Sequence, residues 1–121
     1  MGERILIDTD VLIDYVKGKT DLPLENIYLI SEITLYEFIR ATKDPERAKE
    51  LLSREFIIMW NDNEILETAS HLYRKLSDDG LMIEDADVII GATAISKKLK
   101  LYTNNKDHFK RLETFGLKFY E

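Results

Sequence analysis

Short apolar runs alternate with amphipathic segments along the whole chain, and this alternation constrains the fold more than any other feature of the sequence. Five apolar runs have the length of strands, at residues 5–7, 27–30, 56–60, 101–103 and 117–120. Helical spacing of apolar residues predicts helices between them, at residues 11–17, 35–41, 64–77, 85–98 and 107–112, with one more starting at Asp44 and Pro45. Strands that alternate with helices call for a parallel sheet covered on both faces. We therefore expect a three-layer α/β/α fold whose sheet has four or five mostly parallel strands.

Length and composition favour one globular domain. The chain has 121 residues, of which 45% are hydrophobic and 33% are charged, so we expect a single domain over residues 1–121 with one core. No apolar run approaches the length of a membrane span, and the charged start of the chain does not resemble a signal peptide. These features predict a cytoplasmic protein that does not bind membranes.

Cysteine content and net charge exclude several kinds of site. The chain has no cysteine, which removes disulfides, thiolate nucleophiles and thiolate zinc sites. Its net charge is −6, whereas a protein that held nucleic acid mainly by neutralising phosphates would usually be basic. If nucleic acid is the substrate, a metal ion and local cations must supply the positive charge, and chain position favours Arg40, Lys43 and Lys106 for the latter.

Asp8 is the strongest candidate for a functional residue. It directly follows a buried strand in the stretch ILIDTD at residues 5–10, at the carboxyl edge where open α/β sheets bind ligands. Burying an unpaired carboxylate is costly, and a cation would offset that cost. The alternative is that Asp8 caps the following helix. Because Asp10 has the better position for that cap, we predict that Asp10 caps the helix and that Asp8 binds a metal ion.

Glu37 allows two interpretations that the sequence alone leaves open. In the stretch TLYE, Thr34 and Glu37 have the spacing of a capping box, with Thr34 as the helix N-cap and Glu37 reaching back to it. Alternatively, Glu37 lies one turn into a helix that follows the second strand, and its carboxylate points across the sheet edge towards Asp8.

Asp87 opens an otherwise apolar helix. Three acids occur within residues 84–87, and the positive end of the helix dipole favours acids at such positions. Asp87 shares a helix face with Ile90, Gly91 and Ala94, which we expect to be buried. An acid on a buried face is a better metal ligand candidate than Asp85.

Other polar and aromatic residues have simpler interpretations. Asn105 and Asp107 follow the fourth strand, where a turn residue and a helix cap are the default interpretations and a role at the site is the alternative. His71 and His108 lack metal-ligand spacing and are predicted to be surface residues. Trp60, at a strand end, is predicted to belong to the core.

Four segments together resemble the PIN-domain family, in particular its VapC-type toxin branch. They are ILIDTDVLI at residues 5–13, ITLYE at 33–37, DVIIGATA at 87–94 and LYTNN at 101–105. The resemblance covers essentially the whole chain in the right order. It implies a Mg²⁺- or Mn²⁺-dependent endonuclease that cleaves RNA, forms a homodimer and is inhibited by a small antitoxin protein.

The resemblance also implies roles for individual residues. The family's acids fall on Asp8, Glu37 and Asp87, of which Asp8 and Asp87 would hold the ion most directly. Glu37 would bind a second ion or orient the attacking water.

At two other positions of the family's site, this chain has a residue that differs from the family's usual one. The fourth acidic position falls on Asn105, an amide, and Asp107 is a nearby substitute. Asp10 occupies a position that is often Asn in the family and would add a negative charge. The hydroxyls of Thr9 and Thr103 would support the ligands.

Other classes of protein share parts of this pattern. A phospho-receiver domain has a similar length and alternation, and Asp62 is loosely placed as its acceptor, but Lys106 comes late for the lysine that such domains need after the last core strand. A phosphatase of the haloacid dehalogenase type also begins with a strand followed by Asp-x-Asp, but normally needs a longer chain. A PIN-fold interaction module with weak or no catalysis is the third alternative, because Asn105 replaces an acid.

Overall fold

The structure is a computed structural model that describes residues 2–121, and these residues form five strands, six α-helices and a 3-10 helix. The strands are β1 (Arg4–Ile7), β2 (Ile27–Ser31), β3 (Ile57–Met59), β4 (Lys100–Tyr102) and β5 (Lys118–Phe119). The α-helices are α1 (Thr9–Val16), α2 (Glu32–Ile39), α3 (Pro45–Glu55), α4 (Asn63–Asp78), α5 (Asp85–Ser96) and α6 (Lys106–Phe109), and the 3-10 helix spans Lys110–Phe115.

The five strands form one sheet in the order β3-β2-β1-β4-β5, and every neighbouring pair is parallel. The predicted parallel α/β fold is therefore confirmed, with the larger of the two predicted strand numbers. Because all strands run the same way, all their carboxyl ends lie at one edge of the sheet. The central strand β1 lies between β2 and β4, so residues that follow these three strands are neighbours at that edge.

The core consists of two apolar layers, one on each face of the sheet. Leu6 packs into the layer with α4, α5 and the 3-10 helix, whereas its neighbours Ile5 and Ile7 pack into the layer with α1 and α3. This division follows from the alternation of side chains along a strand. Helix α5 is buried over Ile90–Ala94, as its apolar composition predicted. An added Cβ at Gly91 would overlap Cδ1 of Leu112, so the glycine allows this helix to approach the 3-10 helix closely.

Two helices begin earlier than the sequence predicted, and both corrections concern candidate site residues. Helix α1 begins at Thr9, and its N-cap is Asp8, which has extended backbone angles, so the prediction that Asp10 caps this helix is wrong. Helix α2 begins at Glu32 with Ser31 as N-cap, so the prediction of a Thr34 cap is also wrong. In both cases the strand passes directly into the helix, and the last extended residue provides the cap.

Two predictions about apolar residues also need correction. Trp60 is not a core residue, because 52% of its surface is exposed and Nζ of Lys49 lies 5.7 Å from the centre of its ring. On α4, helical spacing predicts one buried face that comprises Ile65, Leu66, Ala69, Leu72, Tyr73 and Leu76, but Leu66 and Tyr73 are exposed while the other four are buried. Among residues 2–121, no helix is long and apolar enough to cross a membrane.

Candidate active site

Asp8 lies at the centre of the candidate site and is 7% exposed, which makes it the only buried acidic or basic side chain among residues 2–121. Its Oδ2 accepts a hydrogen bond of 2.8 Å from Oγ1 of Thr103, and its Oδ1 accepts one of 2.8 Å from the backbone N–H of Thr9. Both donors are neutral, and within the described part of the chain Asp8 forms no ion pair. The carboxylate is thus held in one orientation without a compensating positive charge.

The electrostatics of Asp8 reflect this arrangement. The pKa of Asp8 is raised from 3.8 to about 6, mainly by burial and also by the negative charges of Asp10 and Asp87, while the hydrogen bonds from Thr103 and Thr9 act to lower it. The raised pKa means that the site disfavours the ionised form of Asp8. A cation bound nearby would stabilise that ionised form. Asp87, far from Asp8 in sequence, is near enough for its charge to raise the pKa of Asp8.

Asp10 contributes charge to the site although it does not cap the helix. Its Oδ1 accepts a hydrogen bond of 2.8 Å from the N–H of Val11, which is within the first turn of α1. Burial raises the pKa of Asp10, and Asp14 adds to that effect.

Glu37 points towards α1 and not back to the start of its own helix. Its Oε1 accepts a hydrogen bond of 2.7 Å from Oγ1 of Thr9, and that hydroxyl lies 3.1 Å from Oγ1 of Thr34. The N–H of Thr34 donates to Oγ of Ser31 instead of to Glu37. The capping-box interpretation is therefore wrong, and the alternative, a carboxylate directed across the sheet edge, agrees with the structure.

Asp87 lies at the start of α5 and faces both the other acids and α6. Burial raises its pKa most, the charges of Glu84 and Glu37 raise it further, and the nearby His108 lowers it. Nδ1 of His108 lies 3.4 Å from Oδ2 of Asp87. Asp85, the less favoured acid of this helix start, is exposed and lines a different groove, between α4 and α5.

The segment after β4 brings three more polar residues to this edge. The N–H of Asn105 donates a hydrogen bond of 3.0 Å to Oγ1 of Thr103, the same hydroxyl that bonds Asp8. The Nδ2 atom of Asn105 lies 3.1 Å from Nδ1 of His108. Asp107 is exposed and lines the cleft beside Asp87.

His108 is a site residue that sequence reasoning missed. The prediction of an exposed histidine is correct, but the residue also contacts Asp87. Its neighbours in sequence, Asn105 and Asp107, are typical of an exposed turn and gave no signal of this contact. His71 is exposed on α4, as expected.

The three side chains predicted to supply positive charge for nucleic acid, Arg40, Lys43 and Lys106, have different surroundings. Arg40 stacks over the ring of Tyr36, with 5.2 Å between the guanidinium carbon and the ring centre. Nζ of Lys106 bonds Oε1 of Glu121 at 2.8 Å, which directs it to the chain terminus. Lys43 is exposed. Arg111, which was not predicted, lines the cleft beside Asp87.

Asp62, the acceptor that a phospho-receiver would need, has a different role. Its Oδ1 caps α4 by accepting a hydrogen bond of 2.9 Å from the N–H of Ile65, and its Oδ2 accepts one of 2.7 Å from Nζ of Lys97. Both of its oxygens are therefore engaged in structural contacts.

The donor chemistry of the site fits a hard divalent cation. The candidate ligands are carboxylates, and Mg²⁺ and Mn²⁺ prefer oxygen donors. Within residues 2–121, no three His, Cys, Asp or Glu side chains are gathered closely enough to enclose an ion by themselves. Mg²⁺ commonly binds through one or two carboxylates and keeps several waters, so Asp8 and Asp87 are donors of the type it takes.

Comparisons with known proteins identify the family of this chain. The sequence matches the family described as PIN domain over residues 5–114. It is 43% identical over 122 residues to a protein named ribonuclease VapC1 from Methanocaldococcus jannaschii, a match that covers 98% of this chain and 88% of the relative.

Solved structures with the same fold come from toxin–antitoxin assemblies. One is VapBC-1 from nontypeable Haemophilus influenzae, with a TM-score of 0.80, 21% identity and coverage of 98% of this chain and 97% of the other. Another is a toxin–antitoxin complex from Klebsiella pneumoniae, with a TM-score of 0.67, 29% identity and coverage of 87% and 89% respectively.

Proposed function

This chain belongs to the PIN domain family, and from that premise we propose that it is an endoribonuclease that requires Mg²⁺ or Mn²⁺ and acts as the toxin of a toxin–antitoxin pair. One observation carries the proposal. Asp8 is buried and no cationic side chain of residues 2–121 pairs with it, while the charge of Asp87 raises the pKa of Asp8 and the charge of Glu37 raises that of Asp87. An ion bound there would supply the missing positive charge.

In the proposed reaction, two acids bind the metal ion and a third activates the attacking water. Asp8 and Asp87 would hold the ion, and Thr103 and the N–H of Thr9 keep Asp8 oriented for it. When bound, the ion would neutralise the carboxylates and stabilise negative charge on the phosphoryl and leaving oxygens. Oε1 of Glu37 is occupied by Thr9, so Oε2 remains to orient a water molecule for in-line attack and to accept its proton.

The RNA strand must approach an acidic protein, and the exposed arginines at this edge favour that approach. The net charge of −6 works against binding through general attraction to phosphates. Arg111 lines the cleft beside Asp87, and Arg40 is exposed at the end of α2, the helix that carries Glu37. These two cations would contact phosphates on either side of the scissile bond.

The direct test compares cleavage of mixed RNAs in Mg²⁺, in Mn²⁺ and in excess EDTA, with Asp8→Asn as the inactive control. We expect cleavage by the parent protein in either metal, none in EDTA, and none by Asp8→Asn in any condition. Equal cleavage by Asp8→Asn would contradict the proposed roles of the acids. Absence of cleavage by the parent under all conditions would instead favour a non-catalytic PIN-fold module, for which Asn105 in place of an acid is the supporting observation.

An antitoxin partner would need an apolar surface on this chain, and the groove between α1, α2 and α3 provides one. The groove has a volume of about 580 Å³, and its lining includes the exposed side chains of Val16 and Leu51 beside Tyr15 and Phe38. An apolar segment of the antitoxin would fill it. We propose that the protein encounters both its RNA substrate and the antitoxin in the cytoplasm. Leu51→Lys should weaken antitoxin binding while the free chain cleaves RNA as before.

We propose a homodimer, and the groove between α4 and α5 is the supporting surface. Leu66 and Tyr73 are exposed there next to Val88 and Ile89. Light scattering should give twice the chain mass of 14.2 kDa, and Tyr73→Glu should give the monomer mass. A parent protein that is monomeric at high concentration would contradict this part of the proposal.

A further inference from the structure

An open cleft of about 470 Å³ adjoins the acids on the side of α6, and its lining combines apolar, cationic and acidic groups. Its walls include Met82, Ile83, Glu84, Asp87, His108 and Arg111. We propose that this cleft is a nucleotide subsite that receives the base and phosphate of the RNA residue next to the scissile bond, and that it prefers bases with an exocyclic amino group. This inference rests on the proposed ribonuclease function.

The position of the cleft follows from Asp87, which belongs both to the acidic site and to the cleft wall. A phosphate placed at the acids therefore has its neighbouring nucleotide within reach of the cleft. The volume is within the range of roughly 300–1,000 Å³ that is usual for small-molecule sites. Single-stranded RNA can enter such a cleft because its unstacked bases turn outwards from the backbone.

The apolar wall suits the flat face of a base. Met82 is 73% exposed and lies with Ile83 in the segment between α4 and α5. Ligand sites are lined mainly by apolar side chains, so an exposed methionine in the wall of a concave cleft is available to contact a ligand. The thioether of methionine is polarizable and makes favourable contacts with aromatic rings, so Met82 would pack against the base.

Arg111 is the cation that would bind the phosphate. Among residues 2–121 its guanidinium forms no ion pair, although the cleft also contains acids. A free guanidinium matches the geometry of a phosphate and binds it through two parallel hydrogen bonds. Its presence explains how an acidic surface can hold a polyanion at this point.

The base preference comes from Glu84 and Asp107. Glu84 occupies the N-cap position of α5, but its side chain makes no capping hydrogen bond and is exposed, so its oxygens are available to a ligand. Asp107 lines the same cleft. Carboxylates only accept hydrogen bonds, and the amino groups of adenine, cytosine and guanine donate them. Uracil has no amino group and offers a carboxylate only its ring N3–H, so we expect it to bind most weakly.

The test uses the methyl resonances of the intact protein labelled with ¹³C-methyl methionine. The ligands are AMP, CMP, GMP, UMP and ribose 5-phosphate, each added without metal. We expect AMP, CMP and GMP to shift the Met82 resonance strongly, UMP to shift it less, and ribose 5-phosphate, which has no base, to leave it nearly in place. Met59, which is partly buried against the core, serves as the internal control and should not move.

Variants of two cleft residues, Arg111 and Glu84, separate their roles, and a variant of Lys110 serves as the control. Arg111→Gln should raise the Kd for AMP by about fivefold or more, because a charge-assisted bond to phosphate is lost. Lys110→Gln removes a neighbouring exposed cation that does not line the cleft and should leave the Kd unchanged. In the cleavage assay, Glu84→Gln should increase cutting next to uridine, because its amide adds a donor.

The outcomes also keep this inference separate from the proposed function. If no nucleotide shifts Met82, or if ribose 5-phosphate shifts it as much as AMP does, the subsite is wrong even when the protein cleaves RNA. If the nucleotides bind as expected but RNA is not cleaved, the subsite is supported and the ribonuclease proposal fails.

Discussion

Two groups of acids lie at helix starts in this molecule, and their electrostatics are opposite. At the end of α5, Lys97 donates hydrogen bonds of 2.7 Å to Asp62 and 2.8 Å to Glu64. The bond from Lys97 lowers the pKa of Asp62. At the carboxyl edge of the sheet, burial and, to a lesser extent, the charge of Asp87 raise the pKa of Asp8 to about 6.

The difference shows where the chain supplies its own counter-charge and where it does not. Asp8 and Asp62 are both N-cap residues, of α1 and α4 respectively, so capping alone does not distinguish them. Asp62 has a lysine and is exposed, whereas Asp8 has only neutral donors and is buried. We interpret the first group as structural and the second as a site that an external cation completes.

The largest effect should come from exchanging each of these two aspartates for asparagine. Asp8→Asn should reduce RNA cleavage by at least about 100-fold, the order expected when a group that stabilises transition-state charge is lost. Asp62→Asn should leave cleavage unchanged, since asparagine caps helices about as well as aspartate. Initial rates in Mn²⁺ measure both effects, and an equal loss in the two variants would remove the distinction between the two groups.

The next effect concerns the hydroxyl that orients Asp8. Thr103→Val keeps the shape of the side chain but removes the hydrogen bond to Asp8 and the one from the N–H of Asn105. Metal affinity should fall about 10- to 100-fold, as is typical when a group that supports a ligand is lost. Titration calorimetry with Mn²⁺ measures the change, and an unaltered affinity would mean that Asp8 does not need this support.

The pH dependence of stability should differ between the two groups. Asp8 has a raised pKa in the folded state, so the folded protein binds more protons than the unfolded chain between about pH 4 and pH 6. Without metal, the free energy of unfolding should therefore fall by up to about 3 kcal/mol as the pH rises through this window. For Asp62 the pKa is lowered, so its contribution is lost only as the pH falls below 3.8.

Urea unfolding of the metal-free protein at pH 4.0, 5.0, 6.0 and 7.0 measures this dependence. Asp8→Asn should flatten the decline and make the metal-free protein more stable at pH 7. Saturating Mg²⁺ should also flatten it, because the ion competes with the proton for Asp8. A parent protein whose stability does not change over this range would contradict the account of Asp8.

The smallest effect is expected for Asp62 and Glu64, the two acids that are paired with Lys97. Lys97→Met keeps the length of the side chain and removes its charge, so the two hydrogen bonds to α4 are lost. These contacts are largely solvent-accessible and screened by salt, so only a small decrease in the urea midpoint should result. RNA cleavage should not change. A marked loss of cleavage would show that this group also supports the active site.

The sequence was sufficient to predict the fold because its signals are local and repeated. Alternating strand and helix patterns determined the layers, the carboxyl edge of a parallel sheet made Asp8 a candidate ligand, and the apolar face of α5 made Asp87 another. The exact helix starts were not predictable in the same way. Asp10 and Thr34 had good cap chemistry, but the direct passage from strand to helix gave the caps to Asp8 and Ser31.

Side-chain partners across the sheet edge were the part of the site that the sequence could not provide. Glu37 had two equally good interpretations, and only its contact with Thr9, 28 residues away, favours one of them. His108 gave no signal of its contact with Asp87, because its neighbours in sequence are typical of an exposed turn. Such contacts depend on how helices pack over the edge, which local patterns do not encode.

Binding of Mn²⁺ to the parent protein, followed by paramagnetic broadening of amide resonances, tests the central claim most directly. We predict saturable binding of Mn²⁺ that broadens the resonances of residues 8, 37 and 87 together, leaves those of residues 62 and 64 sharp, and is lost in Asp8→Asn. Broadening centred on Asp62 and Glu64, or binding that Asp8→Asn does not weaken, would contradict the account.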